Sequence, residues 1–117
     1  MATVAFVSDE NHGGSWPGIV TGDTVTETRI SKTGYYNLTF ADTFAGGTVA
    51  SLLLGPTTAP TKKISFVDGS GVVTEWATTA AIGPIVIGPL AAGTYVKAYV
   101  ASGVADSVSV TLAYAGE

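Results

Sequence analysis

From Gly34 onwards, apolar and polar side chains alternate along the chain. In YYNLTF (35–40), Tyr36, Leu38 and Phe40 fall on one face and Tyr35, Asn37 and Thr39 on the other, the two-residue period of a half-buried strand. The same period predicts strands in TVASLLL (48–54), with Ala50, Leu52 and Leu54 inward, and in KKISFV (62–67), with Ile64 and Phe66 inward. VVTEWATT (72–79) places Trp76 with Val72 and Thr74 on the inner face. In LAAGTYVKAYVA (90–101) a turn precedes a strand whose Val96, Ala98 and Val100 face in, with Tyr95, Lys97 and Tyr99 outward. SVSVTLAYA (107–115) brings in Val108, Val110, Leu112 and Tyr114. IGPIVIGPL (82–90) is a short apolar strand with a proline on each side.

Turn chemistry separates these runs. DGSG (68–71) between two β-rich segments predicts a hairpin of 62–67 with 72–79. DTFAGG, GPTTAPT (55–61) and SGVADS (102–107) read as further turns and loops. The first third of the chain is less regular. ATVAFVS (2–8) suits a strand with Val4 and Phe6 inward, and residues 9–18, which contain NHGGSWPG, read as a loop. TVTETRIS (24–31) is polar on both faces, as expected of an edge strand or an arm lying over a neighbour.

No segment shows a sustained 3.6-residue period. The expected fold is therefore all-β: a single antiparallel β-sandwich, jelly-roll or immunoglobulin-like, of about eight or nine short strands. Residues 1–33 are expected as an N-terminal arm or edge segment beside a sandwich over 34–117, the whole forming one unit.

Composition supports this expectation. Thr, Val, Ala and Gly dominate, and 15 glycines with five prolines punctuate the 117 residues. Only 12% of residues are charged, and the net charge is −4. A soluble domain ordinarily carries about twice that share, and a low-charge surface is best tolerated where a partner covers part of it. The five basic residues are scattered along the sequence, so no nucleic-acid partner is expected. The chain has no cysteine, which excludes disulfides and thiolate metal sites. It has no apolar run long enough for a membrane-spanning helix, and MATVAFVSDEN lacks the features of a signal peptide, so no membrane partner is expected.

Candidate chemistry is thin. His12 is the single histidine; it has neighbouring Asp9 and Glu10 but no nucleophile in a recognisable motif. Asp9, Glu10, Asn11 and His12 form a plain run rather than the spaced pattern of a calcium loop. Glu27, Asp42 and Glu75 are not paired as a glycosidase would require. No catalytic residue, metal ligand or cofactor is expected, and the chain is not expected to be an enzyme.

YYNLTFADTFAGGTVASLLL, DGSGVVTEW, PLAAGTYVKAYV and SVSVTLAYA, in this order and spacing, resemble the small β-sandwich proteins of tailed-bacteriophage virions. The resemblance covers roughly the last two-thirds of the chain and rests on motifs that are individually common. It implies a structural role, capsid decoration or a head-fibre or fibre-base component, held by protein–protein adhesion in a virion assembled in the host cytoplasm. It also implies a major capsid protein or another virion protein as partner and a homo-oligomer, a trimer above other states. On that view Trp16, Ile19, Val20 and Ile30 are candidate partner-docking residues of the N-terminal segment. The alternative is a carbohydrate-binding or adhesin module. Trp16, Tyr35, Tyr95 and Tyr99 would then serve as sugar-stacking rings, though the tyrosines equally suit a subunit interface.

Overall fold

The computed structural model describes residues 2–9, 11–44, 47–101 and 107–117. Every regular element among them is a strand: β1 Thr3–Val4, β2 Val7–Ser8, β3 Gly14–Ile19, β4 Thr24–Val25, β5 Thr28–Arg29, β6 Gly34–Thr43, β7 Val49–Gly55, β8 Lys62–Lys63, β9 Ser65–Val67, β10 Val73–Glu75, β11 Ile82–Leu90, β12 Tyr95–Ala101 and β13 Ser107–Gly116. The main layers are a five-stranded sheet in the order β11-β6-β13-β3-β2 and a four-stranded sheet in the order β5-β12-β7-β8. All pairs within them are antiparallel. The chain is thus all-β and consistent with the expected sandwich. The strands outnumber the expectation because several are two-residue pieces at the margins.

Strict alternation builds the core. Tyr36, Leu38 and Phe40 of β6 and Val108, Val110 and Leu112 of β13 are buried on one sheet, facing Ala50 and Leu52 of β7 and Val96 and Ala98 of β12 on the other. Tyr36 lies at the end of this row, where its hydroxyl donates to the Lys32 carbonyl at 2.6 Å. Burial pushes its phenol above the ordinary value.

Residues 9–18 do not form the expected loop throughout, because Gly14–Ile19 is a strand held between β13 and β2. Glycine permits the close approach: a Cβ on Gly14 would sit 2.1 Å from the Val7 carbonyl oxygen. Pro17 and Gly18 occupy a bulge against Val108–Val110, so the missing proline N–H costs no ladder bond. Gly18, at φ 64°, donates its N–H to Ser109 Oγ instead. Strands from this N-terminal segment join both main sheets. β2 and β3 complete the five-stranded sheet, and β5 is the edge of the four-stranded one, the edge position expected for 24–31.

The DGSG turn forms its hairpin, shorter than expected: β9 pairs with β10 through Ser65↔Glu75, Phe66↔Thr74 and Val67↔Val73. The Asp68 carboxylate accepts from the N–H of Ser70 and Val72, and Gly71 takes the positive φ. β11 contains the I-G-P triplet twice, at 82–84 and 87–89. Both copies do the same thing, with a positive-φ glycine, a cis Gly–Pro bond and a break in register against β6. The repeat is a local device of one edge strand. The turn DTFAGG overlaps β6, which runs through Thr43, and Ala45 and Gly46 fall outside the described residues. Residues 102–106 of SGVADS also fall outside them.

Candidate functional site: two flanks and a tyrosine face

Trp16, Ile19 and Ile30 are core residues of this chain, with exposures of 0, 1 and 3%. Trp16 donates from Nε1 to the Thr26 carbonyl at 2.7 Å and meets the Phe6 ring edge-on at 4.7 Å. The docking role expected for these three is corrected, since their apolar surface is already buried within the chain's own fold. Val20, one residue beyond β3, is exposed.

This flank ends in a polar cleft of about 260 Å³ bordered by Asp9, His12, Arg29 and Ser31. The Asp9 carboxylate accepts from the backbone N–H of Asn11 and Gly13, which closes the local turn. His12 sits at φ 61°, with Nδ1 3.1 Å from Ser31 Oγ and its ring against Tyr114. Asp9 and His12 are therefore each engaged with other groups rather than with one another. Among the described residues no three metal-ligating side chains cluster; Glu10 lies outside them.

The opposite flank lies where the sandwich sheets end in β8 and β11. The β8–β9 break at Ile64 takes the hairpin off the β7 edge. Ile64 still donates its N–H to the Leu52 carbonyl, and Trp76 donates back to the Ile64 carbonyl, anchoring the hairpin base. Beyond that point β9 and β10 form a two-stranded sheet of their own, across a groove from β11. Phe66, expected inward, is consequently 47% exposed. Trp76, expected in the core, is half-buried, its ring centroid 5.6 Å from that of Phe40.

Between hairpin and β11 runs a groove of about 520 Å³, lined by residues including Phe66, Trp76, Ile85, Val86, Ile87 and Pro89, with no titratable side chain in its wall. Val67, Val72 and Val73 on the hairpin and Ile82 and Val86 on β11 add to the exposed apolar surface; Val67, Val73 and Val86 are each about two-thirds exposed. An apolar area of this kind is the feature that marks an interaction surface, because isolated exposed aliphatics are ordinary and clustered ones are not. Sequence reasoning missed it. The alternation around Phe66 is legible, but the departure of the hairpin from the β7 edge at Ile64 is not.

The three flagged tyrosines divide between the layers. Tyr35 is exposed on the outer face of β6, in the five-stranded sheet. Tyr95 and Tyr99 are half-buried on the outer face of β12 in the four-stranded sheet, as their alternation with buried Val96 and Ala98 requires. A single sugar platform can use Tyr95 and Tyr99 but not Tyr35. In comparisons with protein-family models, curated proteins and solved structures, the chain matches none.

Proposed function

We propose that the chain is a non-catalytic structural protein that holds its place in a large assembly by protein–protein adhesion. The assembly we propose is a tailed-phage virion, where the chain acts as a capsid decoration or fibre-base component. The adhesive surface is the β8–β11 flank, and its immediate partner is another copy of the chain, in a trimer that sits on the capsid protein. The observation that carries this reading is the uncharged groove beside a hairpin with apolar side chains on both faces. A two-stranded hairpin standing alone is marginal in water, and burial against a neighbour at about 25 cal/mol per Å² stabilises both the hairpin and the contact. Groove and hairpin lie side by side on one flank and are matched in chemistry, so copies can supply each other with ridge and socket. The virion setting rests on the motif resemblance and on the low-charge, cysteine-free composition.

Sedimentation velocity tests the adhesive part. The wild-type chain should sediment as an oligomer, and Val73→Lys should shift it to monomer without loss of fold by circular dichroism. A wild-type chain that stays monomeric at its highest soluble concentration overturns the reading. Co-sedimentation with capsids of the phage that encodes the chain tests the setting, with binding expected and its absence contradictory.

A further inference from the structure

The five cations of the sequence are Arg29, Lys32, Lys62, Lys63 and Lys97, scattered along the chain. Four of them lie in the four-stranded sheet, on β5, β8 and β12, and the strands of that sheet contain no Asp or Glu. Register places three on its outer face together with two tyrosines. Arg29 stands opposite Tyr95, and Lys97 stands opposite Leu53, which in turn stands opposite Lys63. The Lys63 ammonium is 4.8 Å from the Tyr99 ring centroid, close enough for a cation–π contact that holds the charge on this face. Among the described residues, Arg29, Lys63 and Lys97 have no carboxylate in ion-pair contact; the ion pair present is Lys32 with Glu117, at the edge of the other layer. A chain of net charge −4 therefore gathers three cations and two tyrosines on one sheet face, with Glu27 immediately before β5 as a neighbouring carboxylate.

We propose that this outer face binds an acidic polysaccharide, a linear sugar chain bearing carboxylates. Tyr95 and Tyr99 are four residues apart on one strand, about 13 Å at the usual rise, with Lys97 between them. The Tyr95 ring offers an apolar edge to a sugar, and Arg29, Lys97 and Lys63 meet the carboxylates along it through charge-assisted hydrogen bonds. A protein partner fits less well. Interfaces centre on exposed large apolar side chains, and those among the described residues, such as Phe66, Val73 and Val86, lie elsewhere. A nucleic acid also fits less well, because its phosphate density far exceeds three cations. The inference stands independently of the adhesive flank.

Isothermal titration with an oligogalacturonide tests it, run beside a neutral oligosaccharide of equal length, a polyglutamate and an oligothymidylate. The oligogalacturonide should bind, more weakly as salt is raised. Lys97→Gln and Arg29→Gln should each lower its affinity about tenfold while their thermal melts stay at the wild-type value. Absence of oligogalacturonide binding overturns the proposal, as does equal binding of the neutral sugar or unchanged affinity in both variants. Polyglutamate or oligothymidylate binding as tightly as the sugar acid overturns it in favour of a protein or a nucleic acid.

Discussion

The two lateral flanks of the sandwich are built from similar material and end differently. Each joins the margin of one sheet to the margin of the other, and each carries a tryptophan. On the β2/β3/β5 flank, Trp16 is fully buried, capped by Phe6 and hydrogen-bonded to Thr26. On the β8/β11 flank, Trp76 is half-buried at the wall of an open groove, because the hairpin that should cover it leaves the edge of β7 at Ile64. The first flank is sealed by residues from the N-terminal third. The second has no such cover and is bordered by Phe66, Val67, Val73 and Val86. A sealed flank contributes to the stability of the single chain, whereas an open apolar flank contributes when a partner fills it.

Substitution separates the two. Trp16→Ala is expected to cost about 3–5 kcal/mol in chemical denaturation, as for a large core ring that leaves a cavity. Gly14→Ala on the same flank should cost about 3 kcal/mol, since its methyl would meet the Val7 carbonyl and β2 or β3 must shift. Trp76→Ala should cost about 2 kcal/mol in the dilute monomer, because part of its ring is already in water. A cost equal to that of Trp16 would mean that the groove wall belongs to the closed core. Val73→Lys should change monomer stability by no more than about 0.5 kcal/mol, the usual range for an exposed position, while weakening association.

The smallest effect concerns pH. The Tyr36 phenol is raised in the fold, so the neutral form is favoured there and its stabilisation is fully present below the ordinary tyrosine value of 10.0. It should be lost as pH rises from that value through the folded one. Tyr36→Phe, which cannot ionise, should flatten the decline in a series of alkaline melts; an unchanged decline would assign it to other groups.

The central strands were legible from sequence because one mechanism sets them: β6, β7, β12 and β13 alternate, and the alternation decides which side is buried. β3 was not legible. GSWPGI has the composition of a loop, and it becomes a strand because β13, far along the chain, pairs with it on one side and β2 on the other, where Gly14 admits the Val7 carbonyl. Trp16 reads from sequence as a partner-docking residue, but a single sequence does not say whether a large apolar ring is buried in its own fold or in a neighbour. The open flank was illegible for a related reason. Phe66 obeys the same alternation as Phe40, and only the position where the hairpin leaves β7 separates an exposed ring from a buried one. The cationic face was hidden because strands distant in sequence bring Arg29, Lys63 and Lys97 together.

Amide hydrogen exchange, followed as a function of protein concentration, tests most directly whether the open flank is the adhesive one. The amides of β3 should be protected to the level of global unfolding at every concentration. Those of residues 65–75 should exchange rapidly in dilute protein and become protected as concentration rises and the flank is covered. Hairpin amides as protected as those of β3 in the dilute monomer, or hairpin protection that does not change with concentration, would contradict the account.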